Sequence, residues 1–320
     1  MQAWFVGITL AAGWLPVLAH GTEAVAAEGV LIARESIALP SFEEISDRPL
    51  IHLYASEPDY NRARSDGRYS FERLSYSSDG LAVVALLYRP KGQDPLPTIV
   101  FNRGSYLRNE TAPEYLTTFH RLAAAGYVVL APMYRGSEGA RGRDEMGGAD
   151  LNDLLQTAAL AKELPSVDAS KLFLLGESRG GMMVFQALRD GFPALAAATY
   201  GAPTDFRRLF AESPEQYEAV ADQLWPGWRA DPEVLVKRSA IAWAEKIDIP
   251  LLLMHGGDDR SMPASQSLSF AARLQALGKP FELHVLAYEN HQISGSAARR
   301  DKVITDWFAL HASKSREGRD

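Results

Sequence analysis

From residue 71 onward the chain alternates two kinds of apolar pattern. Short, nearly unbroken apolar or β-rich runs occur at Thr98 to Asn102, Tyr127 to Ala131, Leu172 to Leu175, Ala196 to Tyr200, Leu251 to His255 and Phe281 to Leu286. Their length and content predict strands covered on both faces. Between them, helical spacing of apolar residues predicts helices over Glu114 to Ala125, Asp150 to Glu163, Gly180 to Arg189, Ser265 to Leu277 and Ala297 to His311, with Gly126 and Gly278 closing two of them. Upstream, Phe71 to Tyr76 and Leu81 to Tyr88 flank Ser-Ser-Asp-Gly, and Asp-Gly supplies the backbone angles of a tight hairpin turn. Strands alternating with helices predict an α/β fold, a mostly parallel central sheet with helices on both faces.

The 320 residues are 47% hydrophobic and 23% charged, enough to bury a sizeable core. No internal repeat, low-complexity tract or Pro/Ser-rich linker divides them, so one catalytic domain is expected over residues 71–312, with an N-terminal extension at 28–70 and a frayed, disordered tail, SKSREGRD, at 313–320. Residues 1–27 have no Lys or Arg, carry an apolar core and end in small side chains, with cleavage expected after Ala19 or Ala27. They read as an export signal, which places the mature protein in a periplasmic or extracellular space. The competing readings are an apolar N-terminal helix of a cytoplasmic protein and an uncleaved anchor. Gly13 and Pro16 make the run a poor spanning helix, so no stable membrane span is expected after processing.

A formal charge of -7 leaves no basic field for nucleic acid. The absence of cysteine excludes disulfides, thiolate metal sites and a cysteine nucleophile. There is no His-Glu-x-x-His or other tight ligand cluster, so no metal and no organic cofactor is expected.

In open α/β sheets chemistry gathers at the carboxyl ends of the strands. There the chain places Gly176-Glu177-Ser178-Arg179-Gly180, a Gly-x-Ser-x-Gly between a strand and a helix, the form of the nucleophile elbow of α/β-hydrolases. Glycines on both sides let a serine occupy a sharp turn that lifts Oγ clear of the sheet. A phosphate loop fits less well, for there is neither Gly-Lys-Ser/Thr nor Gly-x-Gly-x-x-Gly. Serine is a weak nucleophile and needs a base with an acid behind it, here in the chain order Ser, acid, His. Of seven histidines, His284 lies inside a strand, His311 ends the last helix and His255 closes a strand, whereas His291 sits in a loop after a strand. The acid comes from the turn carrying Asp258 and Asp259, both admitted by position, against a plain reading in which they cap the helix near Pro263.

In order along the chain, SSDGLAVVALLYRP, FNRGS, AAGYVVLAPMYRGSEG, GGADLNDL, GESRGG, HGGDDRSMPASQS and NHQ resemble the prolyl oligopeptidase-like serine hydrolases over about Phe71 to Phe308. The resemblance implies the α/β-hydrolase fold and a Ser-His-Asp triad. The family's His-Gly-x-x-Asp-x-x-Val-Pro, laid on His255 to Pro263, implies that the acid is Asp259, with Met262 in place of valine. Asn290 stands before His291 where the family usually has glycine. Larger members carry a β-propeller, for which there is no room upstream of Phe71, so the chain corresponds to a catalytic domain only.

Two backbone donors are expected to face the oxyanion. One is the amide of Arg179 at the helix start. The second belongs to the loop Asn102 to Tyr106, with the Ser105 amide favoured and the Tyr106 hydroxyl implied as an alternative by the resemblance. Arg103 reads either as a surface ion pair or as a ligand for a substrate carboxylate. A helical cap insertion at about 202–240 carries Phe206, Phe210, Tyr217, Trp225 and Trp228. Trp225 is a candidate for an apolar acyl pocket, against the reading in which such aromatics pack the insertion onto its own domain. The leading functional reading is a serine peptidase cleaving peptide or amide bonds of small substrates through an acyl-enzyme. A carboxylesterase on small or lipophilic esters is the alternative, and an inactive binding protein with the same fold the alternative of another class.

Overall fold

The computed structural model describes residues 29–92, 94–105 and 111–317. The export-signal reading and the Tyr106 assignment lie outside the described residues. The strands are β1 (Leu31–Ser36), β2 (Tyr69–Ser78), β3 (Leu81–Pro90), β4 (Leu96–Asn102), β5 (Val128–Pro132), β6 (Val167–Glu177), β7 (Ala196–Tyr200), β8 (Leu251–Gly256) and β9 (Phe281–Leu286). The α-helices are α1 (Ile51–Tyr54), α2 (Glu57–Ser65), α3 (Ala112–Ala124), α4 (Leu151–Leu155), α5 (Thr157–Glu163), α6 (Arg179–Arg189), α7 (Phe206–Glu212), α8 (Pro214–Leu224), α9 (Glu233–Val236), α10 (Ser265–Ala276) and α11 (Ala297–Glu317).

One sheet runs in the order β1-β2-β3-β5-β4-β6-β7-β8-β9. Pairing is antiparallel from β1 to β5 and parallel from β5 through β9. The β2–β3 hairpin closes at Asp79 and Gly80, with φ of 50° and 76°, the two positive values a type I′ turn requires. Along the central strands, side chains alternate between two cores. Val100, Val128, Leu130, Leu172, Leu174, Leu251 and Leu253 face a layer containing α4, α5, α6, α10 and the cap. Ile99, Phe101, Val129, Phe173, Leu175, Leu252 and Met254 face a layer containing α1, α2, α3 and α11. Burial on both sides explains why these strands read as continuous apolar runs. The result is the α/β-hydrolase fold.

Two segments depart from the sequence reading, and the N-terminal extension joins the sheet. The helix expected over Asp150 to Glu163 is split at Gln156 into α4 and α5. The Asp153 carbonyl accepts from Tyr76 Oη at 2.6 Å and the Leu154 carbonyl from Thr157 Oγ1 at 2.6 Å, and such side-chain bonds compete with the helical ladder. The tail expected to be disordered from 313 is helical to Glu317, because Lys, Arg and Glu favour helix and no breaker occurs before Gly318. The extension is built into the domain: β1 pairs with β2, the amides of Val30 and Leu31 donate to the Glu163 carboxylate at 2.7 and 2.9 Å, and the Ser56 side chain caps α2 by accepting from the Asp59 amide.

Candidate active site

Ser178 follows β6 directly and precedes α6, with φ 51° and ψ -122°, a conformation an L-residue holds only under constraint. The constraint is visible: the Ser178 amide donates to the Tyr200 carbonyl at 2.9 Å, and its own carbonyl accepts from the Gly181 amide at 2.8 Å. The flanking glycines are steric necessities. A Cβ on Gly180 would lie 1.9 Å from the Asn102 carbonyl oxygen, and one on Gly176 would lie 2.5 Å from the Gly180 carbonyl oxygen. The turn is therefore wedged between β4 and its own helix, and the serine is lifted to the carboxyl edge of the sheet.

Loops after β8 and β9 meet at the same edge. His291 Nδ1 lies 2.6 Å from Asp259 Oδ2, the short distance of a charge-assisted hydrogen bond. Asp259 Oδ1 accepts the amides of Ser261 and Met262 at 2.9 and 2.8 Å. Burial opposes ionisation of Asp259, but hydrogen bonds from His255 and His291 and from the Met262 amide outweigh it and hold the carboxyl well below the usual range. His255 is fully buried, with Nε2 2.9 Å from the Met262 carbonyl and 3.2 Å from Asp259 Oδ2 and Nδ1 2.7 Å from Ser267 Oγ, so it braces the acid turn. Asp258 faces outward toward Arg260 at 3.4 Å, 58% exposed, and is not the acid brought to His291. Of the two acids that position admits, geometry thus brings Asp259 to the imidazole. His284 pairs with Glu282 at 3.0 Å on β9, and the His311 ring packs 4.3 Å from that of Trp307 on α11.

Ser178 and His291 line one cavity of about 200 Å³. No hydrogen bond joins the two side chains among the described residues, and in sites without substrate such catalytic contacts are often long or poorly aligned. Ser105, Arg179, Gln216 and Ser261 complete the polar wall. Arg179 opens α6, whose first amides have no intrahelical partner and whose dipole favours negative charge. Ser105 has φ 62°, and its carbonyl is drawn inward by Arg103 Nη1 at 3.1 Å and Arg179 Nη1 at 3.0 Å. The rest of the wall is apolar: Met146, Pro203, Phe206, Tyr217, Val220 and Met262. Among the described residues no group of three or more His, Asp or Glu side chains converges as a metal site requires.

Two assignments are corrected. Arg103 is neither a surface ion pair nor a cavity residue. It is fully buried and donates to the carbonyls of Gly104, Ser105 and Met133 and to Ser137 Oγ at 2.7 to 3.1 Å, so it clamps the loop after β4. Trp225 does not line the cavity. Its indole donates to the Glu145 carbonyl at 2.7 Å and is covered by the Arg238 guanidinium at 4.4 Å, which ties the cap to the loop carrying Met146. Of the five aromatics in the insertion, Phe206 and Tyr217 reach the cavity.

Sequence reasoning passed over the support for the elbow. The Arg179 side chain is buried between Asp144 at 2.7 Å and Asp150 at 2.5 Å, with its guanidinium 4.5 Å from the Tyr134 ring. Burial works against its charge, but the two aspartates prevail and raise its pKa. Asp150 lies within GGADLNDL, the one signal that pointed here.

A model of the prolyl oligopeptidase family matches residues 113–315. The uncharacterized peptidase YtmA of Bacillus subtilis (strain 168) is 27% identical over 238 residues, 73% of this chain and 91% of its own. The acylamino-acid-releasing enzyme of Rattus norvegicus is 23% identical over 303 residues, 87% of this chain and 39% of the rat protein. Among solved structures, an acylaminoacyl peptidase of Pyrococcus horikoshii superposes with a TM-score of 0.65 at 21% identity, covering 76% of this chain and 42% of that one. A puromycin hydrolase gives 0.65 at 16% identity, covering 78% and 46%. This chain spans less than half the length of those two structures, and the likeness to them is one of fold. With the family match covering well over half its length, the chain belongs to the prolyl oligopeptidase family of serine hydrolases.

Proposed function

We propose that the protein is a serine peptidase in which Ser178 is the nucleophile, His291 the general base and Asp259 the acid that orients it. The observation that carries the reading is the 2.6 Å His291–Asp259 contact opening on the cavity that also holds Ser178 in its strained turn. With Asp259 ionised, His291 keeps its proton on Nδ1 and presents Nε2 as acceptor. His291 takes the hydroxyl proton as Ser178 Oγ attacks the carbonyl carbon, and the imidazolium then protonates the leaving amine. Water, activated by the same imidazole, releases the acyl group and restores the serine. The amides of Arg179 and Ser105 are the oxyanion donors in this scheme.

The cavity is smaller than a typical drug-sized ligand site, so it takes one apolar side chain or a small acyl group of a short peptide or amide. The same small apolar space suits the acyl part of an ester, which keeps a carboxylesterase as the second reading. Purified protein given N-acetylphenylalanine p-nitroanilide and the matching p-nitrophenyl ester, with Ser178→Ala as control, separates them. Amide turnover lost in the variant supports the peptidase, and ester turnover alone supports the esterase. Equal rates for wild type and variant on both would sink both readings. For residues 1–27 we retain export as the proposal, tested by the mass of the mature N-terminus after secretion.

A further inference from the structure

Glu177, immediately before the nucleophile, takes no part in the steps above, yet it is 1% exposed and both of its oxygens are engaged. Tyr54 Oη donates to Oε1, and Tyr200 Oη donates to Oε2 at 3.2 Å. Tyr54 belongs to α1 in the N-terminal extension, where its carbonyl accepts from Thr117 Oγ1 at 2.8 Å and its ring meets Tyr115 edge-on at 5.0 Å. Tyr200 is the residue whose carbonyl holds the Ser178 amide. A Cβ on Gly104 would lie 3.6 Å from Glu177 Cδ and 3.3 Å from Ser178 Cβ, so the loop carrying Ser105 rests on this carboxyl and on the nucleophile together.

The network continues to the base. Arg300 of α11 places its guanidinium 4.5 Å from the centre of the Tyr200 ring and donates to the carbonyl of Gln292, the neighbour of His291. Asp301 accepts from Arg300 Nε at 2.8 Å and from Arg121 Nε at 2.6 Å. The ionisable groups around Glu177 are thus Tyr54 on α1, Tyr115 on α3, Tyr200 on β7, Arg300 on α11 and His291, with Asp301 behind Tyr200 and Arg300. The tyrosines are pushed upward by burial, so they remain protonated donors. Burial raises the Glu177 carboxyl as well, opposed by the Tyr54 and Tyr200 hydrogen bonds and by the positive charge of Arg300.

We propose that Glu177 is a positioning residue for the Ser178–His291 pair: its carboxyl, held by the Tyr54 and Tyr200 hydroxyls, ties the elbow to the N-terminal extension and to β7, and Arg300 carries the same network from Tyr200 to the loop of His291. The inference rests on the roles given above to Ser178 and His291. It also makes Tyr54, outside the segment matched by the family model, part of the working site.

The test uses p-nitrophenyl acetate and three variants, Glu177→Gln, Tyr54→Phe and the double substitution. Glu177→Gln keeps the shape but replaces one acceptor oxygen by an NH₂ that cannot accept a tyrosine proton, and it is expected to lower kcat roughly tenfold with KM within about twofold. Tyr54→Phe acts in the same direction by a smaller factor, and the double variant is no slower than Glu177→Gln alone, since both act through one contact. An unchanged kcat in folded Glu177→Gln overturns the proposal, as do losses that multiply in the double variant. Labelling of wild-type Ser178 by a fluorophosphonate keeps the two readings apart. Without labelling the nucleophile assignment falls, whereas labelling with an unaltered Glu177→Gln kcat removes only the role of Glu177.

Discussion

Replacing Asp259 by asparagine exchanges one carboxylate oxygen for an amide group at nearly constant shape. In the native site Oδ1 accepts two backbone amides, from Ser261 and Met262, while Oδ2 faces His291 Nδ1 at 2.6 Å and His255 Nε2 at 3.2 Å. The two backbone amides fix an acceptor at the Oδ1 position, so the asparagine oxygen stays there and its NH₂ turns toward both imidazoles. An NH₂ accepts no proton. His291 must then offer Nδ1 as acceptor and carry its proton on Nε2, where it no longer serves as a base for Ser178. Triads on other folds lose about 10⁴-fold in kcat from the wrong tautomer, a barrier change of about 5 kcal/mol. The expected loss here is of that order, roughly 10³- to 10⁴-fold, with KM little changed. The assay is kcat on a p-nitrophenyl ester, with near-UV circular dichroism and thermal melting to show that the variant is folded. A folded Asp259→Asn variant keeping a tenth or more of wild-type kcat would refute the tautomer argument.

Arg103→Met leaves four acceptors of the loop after β4 without their donor, and it is expected to cost about 3 kcal/mol of stability by denaturant melting and to lower kcat more than it raises KM. Arg103→Lys does not restore the rate, because a single ammonium cannot make the guanidinium's forked contacts. Asp144 is buried against Arg179, and although burial opposes its charge, the guanidinium and the Met146 amide hold its pKa below the ordinary value. The stability tied to that ionisation is present above the unfolded-state carboxyl pKa of about 4 and is lost as pH falls through the lower folded value. Melting temperature on acidification is therefore expected to fall more steeply in wild type than in Asp144→Asn. Gly80→Ala forces an L-side chain into φ 76° at the hairpin turn, which is expected to cost about 1 kcal/mol while leaving kcat unchanged.

The hairpin, the parallel strands and the elbow were legible in the sequence because each depends on local chemistry. Asp79-Gly80 permits one kind of turn, unbroken apolar runs require cover on both faces, and Gly176 and Gly180 leave room for a serine that no larger neighbour would. What escaped the reading depends on contacts between distant segments. Arg103 read as a surface ion pair or a substrate ligand because nothing in FNRGS says that four acceptors surround it. Trp225 and Phe206 sit in the same insertion and share aromatic character, yet one is nailed to the Glu145 carbonyl and the other opens on the cavity. Glu177 stood inside the motif itself, but its partners Tyr54 and Tyr200 lie 123 and 23 residues away. The break at Gln156 likewise follows from a hydroxyl on β2 that competes for a helix carbonyl, which no periodicity records.

The most direct test of the account is the site of covalent modification by a fluorophosphonate, read by mass spectrometry of the digested protein. The account predicts one adduct per chain, on Ser178, absent in Ser178→Ala and formed much more slowly in Asp259→Asn. A wild-type protein that takes no adduct, or takes it on another serine, would contradict the assignment of the nucleophile and the chemistry built on it.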